Sequence, residues 1–448
     1  MNQTNDKCDS FESDPLAWLV AAAARGQIAD IDTEKSVMSR DPDATSCVCV
    51  FGEANVRQVL SDGDRFRMPM SAAVRDSLPR LLVNLNSAVF SMAGDVHRER
   101  RRALGRILGA ANRLSLAETA RSVARASRPY EDVDLLSWSR TFAGTVAERV
   151  VLGAFGDGVS VYTQRYFDLR RLNTSAPSAH VREDLITTGM ELDGGLRDRV
   201  SEIERDPDNG GIIGQLVGAS AEWSQPLTGD ELVAHANILL TASGEPVAST
   251  LAWVLLGLSQ RPALMQRIRQ QRDHAPGRVS ALMESTVAES LRLAPPNAVM
   301  ARVTSQSVRV AGRRIAPGTE IALSPFVEHR DAQTFPAPHA FRPLRWKSTR
   351  PTAFQYLPFG AGTRACLGRT IALQTVSHAV ADLIGDHDVV LPTDTIVDWR
   401  MNVTLAPTGS PVVRLTRCRS SAARGRLLGP ARTLIGFPID ADSLIRNS

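Results

Sequence analysis

Apolar positions recur at three- and four-residue spacing along several stretches, which predicts helices with a buried face. Leu16–Ala24 reads as a short apolar helix, and Ala54–Leu60 as another that stops at Ser61, Asp62 and Gly63. Val96–Leu108 is helical and strongly basic, and Arg140–Leu152 is amphipathic. Thr228 and Glu231 form a capping box, with the glutamate three residues after the threonine. The helix it opens, roughly Asp230 to Gln260, is apolar nearly all round from Ile238 to Leu256. Such a helix is expected to run through the middle of the protein. Ser280–Leu293, stopped by Pro295 and Pro296, and Leu367–Ile384 follow the same period. Strand-like runs are short: Val48–Phe51, Val308–Val310 and Ile321–Leu323, the last two separated by a turn at Pro317 and Gly318. Met68–Met92 is irregular and carries Pro69 and Pro79, so it predicts a long loop, and loops of that length are usually functional. Asp331–Arg364 is rich in Pro, Phe and Gly and has no period. No repeat and no linker interrupts the chain. The fold class expected is mainly α with small β-sheets, in a single large domain.

Composition narrows the function classes. Of 448 residues, 43% are hydrophobic and 22% charged, the balance of a globular protein with a sizeable core. That excludes a disordered chain, a fibrous repeat and a polytopic membrane protein. The net charge of +4 gives no argument for a nucleic-acid partner. Lysine occurs only at Lys7, Lys35 and Lys347, so arginine supplies nearly all the positive charge. That bias reads first as the codon usage of a GC-rich genome, although the planar guanidinium fork suits carboxylate partners better than an ammonium does. Five cysteines at irregular spacing make no disulfide framework and favour a reducing, cytoplasmic location. Cys47 and Cys49 read as two small strand residues on one face. Leu16–Ala24 is far short of the ~20 residues a spanning helix needs, so no membrane partner is expected.

The chemistry concentrates in residues 359–368, Phe-Gly-Ala-Gly-Thr-Arg-Ala-Cys-Leu-Gly. One cysteine, Cys366, ends a glycine-rich loop that opens a helix. Gly360, Gly362 and Gly368 allow tight turns and close approach to something flat. Backbone N–H groups at the helix start favour a thiolate, and Arg364 can hold a carboxylate with two bonds. A haem with an axial cysteine needs these three things. A dinucleotide fingerprint is the rival, but Pro358 precedes the loop, no alternating strand leads in, and no acid follows near position 380. A structural buried cysteine explains neither the glycines nor the arginine.

Phe359, Gly362, Arg364, Cys366 and Gly368 resemble the haem-ligand signature of the cytochrome P450 family of haem-thiolate monooxygenases. The resemblance implies haem b as cofactor, with Cys366 on the iron, Phe359 and Gly368 beside the ring, and Arg364 on a propionate. Glu289 and Arg292 are similar to the family's E-x-x-R pair; apolar flanks suggest burial, and Arg345 is the candidate third partner. Their implied role is to hold the cysteine loop. His97 and Arg101, four apart on one helix face, and Arg302 match positions where the family places propionate partners. Arg98 and Arg102 would then face outward.

The long helix carries Ala242, Ser243, Gly244, Glu245 and Pro246. The family pattern is small-Gly-x-acid-Thr, so Ala242 gives close approach to the haem, Glu245 keeps the acid, and Pro246 replaces the threonine. That threonine normally takes part in proton delivery at the haem. Proline has no N–H and frees the carbonyl of Ala242. Either Pro246 only reproduces a local bulge, or Glu245, with Ser243, Thr250 and water, runs a different relay. The resemblance covers about residues 15 to 417. A haem-thiolate oxygenase domain over 1–417 is therefore expected, with a C-terminal extension, 418–448, of undecided role.

The function implied is oxidation of an apolar small molecule or natural-product intermediate, with dioxygen and electrons from a ferredoxin and ferredoxin reductase. No segment is left over for flavin or iron–sulfur binding. The substrate pocket implied is lined by Met68–Met92, Ile238–Val247, Asn297–Met300 and Met401–Val403. Pro246 prompts an alternative, peroxide-driven oxidation or oxidative coupling. A non-catalytic, partner-recruiting member is disfavoured, because a scaffold need not keep Cys366, Arg364, His97 and Arg302.

Overall fold

The computed structural model describes residues 11, 14–31, 44, 46–69, 88–89, 92, 94–110, 113–153, 165, 179–223, 225–273, 279–401, 404–418 and 424–436. In chain order the helices are α1 (Pro15–Arg25), α2 (Glu53–Ser61), α3 (Gly94–Ala110), α4 (Arg113–Ala126), α5 (Leu135–Leu152), α6 (Ala179–Arg205), α7 (Gly211–Ser220), α8 (Gly229–Ser259), α9 (Pro262–Asp273), α10 (Ala281–Leu293), α11 (Pro325–Glu328), α12 (Arg369–Leu383) and α13 (Ala431–Leu434). The strands are β1 (Ile28–Ile31), β2 (Ser46–Val50), β3 (Phe66–Arg67), β4 (Val133–Asp134), β5 (Met300–Thr304), β6 (Val308–Val310), β7 (Arg313–Ile315), β8 (Thr319–Leu323), β9 (His387–Val390), β10 (Thr395–Ile396), β11 (Asp398–Met401), β12 (Leu405–Thr408), β13 (Val412–Arg417) and β14 (Leu427–Leu428). The mainly helical class with small sheets is as expected. Helices α4, α6, α7 and α9 go beyond the elements read from the periodicity.

Two compact units interleave along the chain. One comprises Ser77–Pro296, Ala340–Arg345 and Leu367–Ser448. Its axis is α8, whose capping box forms with both bonds: the Glu231 amide donates to Thr228 Oγ1 (3.3 Å), and the Thr228 amide to Glu231 Oε2 (2.9 Å). Among the described residues α8 is the one helix long and apolar enough to cross a membrane, and 61% of its most apolar window is buried within the protein. Trp253, fully buried on α8, donates its indole N–H to Leu405 O at 2.9 Å, and Ser249 Oγ donates to the same oxygen at 2.5 Å. Hairpin β11–β12 is thereby seated on α8.

The predicted Glu289–Arg292–Arg345 cluster closes completely. Arg292 grips Glu289 with Nε (3.0 Å) and Nη2 (2.9 Å), and Arg345 Nε donates to Glu289 Oε1 at 3.0 Å. Both guanidiniums also reach the carbonyl of Ala340, and the Arg342 amide donates to Glu289 at 2.8 Å. All three side chains are buried. The i,i+3 spacing puts acid and base on one helix face, and burial makes the third partner obligatory.

The extension beyond residue 417 packs on this unit as far as it is described. β14 pairs in parallel with β10, Leu434 and Ile435 are buried, and Arg261 Nη2 donates to Ile435 O at 2.8 Å. Gly436 has φ +72°, and a Cβ there would lie 2.5 Å from the Phe341 nitrogen, so the approach requires glycine. Arg419 and residues 437–448 lie outside the described residues.

The other unit comprises Met1–Asp76, Asn297–His339 and Trp346–Cys366. Its five-stranded sheet has the order β1-β2-β8-β5-β3, with β2 and β8 parallel and the other pairings antiparallel. Val48, Val50, Val56, Leu60, Phe66, Ile321 and Leu323 form its core. Cys47 and Cys49 share a face as expected, but Val48 and Val50 are buried too, so β2 is covered on both sides. Burial pushes both thiols up, which leaves them inert.

Glu328, at the end of α11, is buried and accepts the Gly52 N–H at 2.8 Å. Burial, with Asp331 and Glu53 nearby, raises its carboxyl to about 7. A raised native pKa means the folded state holds the proton more tightly than the unfolded chain. The stability it contributes is complete below the ordinary glutamate range, near 4.5, and is lost as pH rises to about 7. The loss amounts to about 3 kcal/mol over that window. Glu328→Gln keeps the acceptor and should flatten this part of the stability–pH curve in urea denaturation. An unchanged slope would contradict the assignment.

Candidate functional site

In the unit that carries the five-stranded sheet, Phe359, Arg364, Cys366 and Arg302 come together. The loop turns through Gly360 (φ +61°) and Gly362 (φ +69°), and the Cys366 amide donates to Phe359 O at 2.8 Å. Gly362–Arg364 is a 3-10 turn whose closing bond runs from the Ala365 amide to Gly362 O. The turn leaves the Cys366 side exposed. His329, fully buried, accepts the Leu357 amide at Nε2 (2.7 Å) and fixes the irregular segment leading into the loop.

The glycines do different work from that expected. A Cβ on Gly362 would lie 2.0 Å from the carbonyl of Leu60, so this glycine is needed where the loop packs on the last turn of α2. Gly360 would meet only Met300 Sδ, at 3.7 Å, and its requirement is the left-handed φ. Gly368 sits at the N-cap of α12 with φ −82°, a conformation open to any residue. Arg302, on β5, is buried and donates Nη1 to Ala301 O at 2.7 Å. Among the described residues no carboxylate pairs with it. Burial, and then the neighbouring charge of Arg364, push its guanidinium down to about 10. Two close guanidiniums, one buried, are stabilised by an anion between them.

The remaining expected residues lie in the helical unit. On α3 His97 is buried, Arg101 half-buried, and Arg98 and Arg102 exposed, which is the division expected from the four-residue spacing. On α8 Ala242 is exposed, Ser243 and Pro246 half-buried, and Glu245 buried. The helix continues unbroken through Pro246. Thr250 Oγ1 donates to Pro246 O at 2.7 Å, so its proton is committed to the helix backbone.

Glu245 is not a lone acid. Arg140, on α5 and partly buried, grips the buried acid with Nε to Oε2 (2.9 Å) and Nη2 to Oε1 (2.7 Å). Arg140 is the partner of Glu245 that the sequence concealed. It lies 105 residues away, at a position that reads only as the start of an amphipathic helix. Nearer the start of α8, His235 is buried, donates Nδ1–H to Glu231 O (2.6 Å) and accepts the Val89 amide at Nε2 (3.3 Å). Burial lowers its pKa, as this neutral tautomer requires. Val89 is one of the few residues of the expected pocket loop that is described. Most of Met68–Met92, and residues 402 and 403, lie outside the described residues.

The residues present fit a haem held by one thiolate. The donor set around Cys366 is a single exposed sulfur. Among the described residues no cluster of three or more His, Cys, Asp or Glu is placed to bind a metal alone. The paired Arg302 and Arg364 supply the positive charge that carboxylate side arms need.

A family model described as Cytochrome P450 matches residues 191–409. Putative cytochrome P450 137 of Mycobacterium tuberculosis is 30% identical over 229 residues, 50% of this chain and 47% of its own length. Cyclooctat-9-en-7-ol 5-monooxygenase of Streptomyces melanosporofaciens is 27% identical over 403 residues, 82% of this chain and 84% of its own. The chain spans about half the length of several curated relatives it matches. Among solved structures, retinoic acid bound cyanobacterial CYP120A1 superposes with a TM-score of 0.77 at 20% identity, covering 91% of this chain and 95% of that one. This likeness shows the fold.

The Arg140–Glu245 pair makes its own prediction. Arg140→Ala leaves a buried carboxylate uncompensated and should cost roughly 3–5 kcal/mol. Removing both charges in Arg140→Ala with Glu245→Ala should cost less than the sum of the single changes. Guanidinium denaturation of the four proteins measures the coupling. Strict additivity would show that the pair contributes nothing.

Proposed function

The chain belongs to the cytochrome P450 family, and from that premise we propose that it is a haem-thiolate monooxygenase of an apolar small molecule or natural-product intermediate. The carrying observation is the exposed Cys366 sulfur on a glycine loop beside the Arg302–Arg364 pair. Relatives named cyclooctatin synthase and cyclooctat-9-en-7-ol 5-monooxygenase support a natural-product substrate. Haem b bound through Cys366 would supply dioxygen activation, one oxygen atom entering the substrate and the other leaving as water with two electrons and two protons.

The side chains divide the remaining work. In the sheet unit Arg302 and Arg364 would hold propionates and Phe359 would border the ring; in the helical unit His97 and Arg101 would serve as propionate partners, and Gly368 and Ala242 would leave room for the ring. Pro246 offers no hydroxyl, and Thr250 is bonded back to its carbonyl. Proton transfer therefore runs through Ser243 and ordered water. Glu245 serves as a buried acceptor whose charge Arg140 holds in place. Electrons come from a separate ferredoxin-type donor that meets the basic outer face of α3. Pro246 also favours a second reading, peroxide-driven oxidation or coupling, in which no protein donor is needed.

Reduced protein with carbon monoxide should show the red-shifted Soret band of a thiolate ligand. Cys366→His should abolish that band while retaining haem, and a band that survives the change sinks the assignment. With an acidic ferredoxin as donor, reduction should slow as salt rises. Charge reversal at the exposed Arg98 and Arg102 should remove most of that salt dependence. An unchanged dependence would exclude docking on α3, and turnover indifferent to any ferredoxin would favour the peroxide reading.

A further inference from the structure

We propose that Arg400 is the recognition residue for an anionic group, a carboxylate above all, on the substrate of this protein. The inference rests on the haem-thiolate reading for what occupies this part of α8, and it narrows the substrate class. Glu245 and Arg140 are satisfied by each other, two oxygens against two N–H groups. Arg400 stands on β11 opposite Ala406, and the next pair of the ladder is Met401 with Leu405. Leu405 O is the atom held by Ser249 and Trp253. Ser249 lies one turn after Glu245 on α8, so the hairpin is fixed where Arg400 senses the charges of both Glu245 and Arg140.

Arg400 is half-buried, and among the described residues its guanidinium has neither a hydrogen bond nor an ion pair. The three groups together carry one surplus positive charge in a partly desolvated place. Such a charge is costly unless an anion meets it. Elsewhere in this unit three buried carboxylates each pair with two arginines: Glu289 with Arg292 and Arg345, Asp382 with Arg125 and Arg128, Asp388 with Arg269 and Arg424. At Glu245 the second guanidinium is left over. Its hairpin is tied to α8 one turn after Glu245, and on the turn before Glu245 and just after it Ala242 is exposed and Ser243 and Pro246 are half-buried, the stretch where the substrate is expected. A planar fork accepts a carboxylate with two parallel bonds.

The test is calorimetric titration of the haem-loaded protein with matched pairs: laurate and methyl laurate, abietate and methyl abietate. At least one acid should bind tenfold or more tightly than its ester. Arg400→Gln and Arg400→Leu should bring that ratio near one, and Arg400→Lys should keep part of it. Equal binding of acid and ester, a preference that survives Arg400→Gln, or no acid binding below 1 mM (about −4 kcal/mol) would each overturn the proposal. The carbon monoxide spectrum of the same samples is the separate check. Its failure would refute the haem-thiolate reading, while the acid-to-ester ratio would still report on Arg400.

Discussion

A carboxylate buried in protein must be given back nearly all the hydrogen bonds it had in water, and this chain does so with arginine. Glu289 is the fullest case, with two guanidiniums and a backbone amide around one acid. Asp382 ties α12 to α4 and the turn after it through Arg125 and Arg128. Asp388 ties β9 to α9 through Arg269 and to the C-terminal extension through Arg424. In each case the planar fork lets one acid serve two elements at once, which a lysine ammonium would do less selectively. The scarcity of lysine thus has a structural consequence, whatever its origin in codon usage. Helices that are weakly amphipathic on their own are locked by ion pairs at their ends.

How much of this was legible follows from sequence separation. Glu289 and Arg292 are three apart, so the helix period alone puts them together, and apolar flanks announce the burial. Burial demands a further partner for that pair, and Arg345 was found through the resemblance of residues 341–346 to the family's later Pro-x-Arg element. The capping box of Thr228 and Glu231 is equally local. Arg140 and Glu245 were illegible as a pair, because nothing at either position fixes the packing of α5 on α8. The glycines of the cysteine loop were legible as a requirement but not as a cause. Gly362 answers to the carbonyl of Leu60 on a helix three hundred residues earlier. Of the helices missed, α7 carries three glycines in ten residues, and α6 and α9 are rich in charged residues, so their places come from tertiary packing.

The extension shows the same division. Its sequence left its role undecided, because composition could not tell a solvated tail from a packed one. Its apolar residues Leu434 and Ile435 are buried, and Arg261 reaches from the end of α8 to the carbonyl of Ile435. Arg261 itself lies over the ring of Phe341, at 4.2 Å from its centroid. Phe341 is next to Arg342, whose amide bonds Glu289. The extension therefore backs the segment that completes the buried Glu289 cluster, and its glycine at 436 is required by that contact.

A proline in the interior of α8 fits within this arrangement. It removes one backbone bond, at the Ala242 carbonyl, and in an isolated helix that is a cost of about 3 kcal/mol. Here the helix is fixed on both sides of the lesion. Thr228 and Glu231 cap its start, and Leu405 holds Ser249 and Trp253 beyond it. Glu245, immediately before the proline, is clamped by Arg140. The helix can therefore lose a rung without losing direction, and the freed carbonyl belongs to Ala242, an exposed residue. An acceptor is thus opened on the face where a small-molecule substrate and water would meet the helix. The replacement of a hydroxyl by proline changes the local chemistry from a fixed donor to a free acceptor, and a substrate that brings its own polar group suits that exchange.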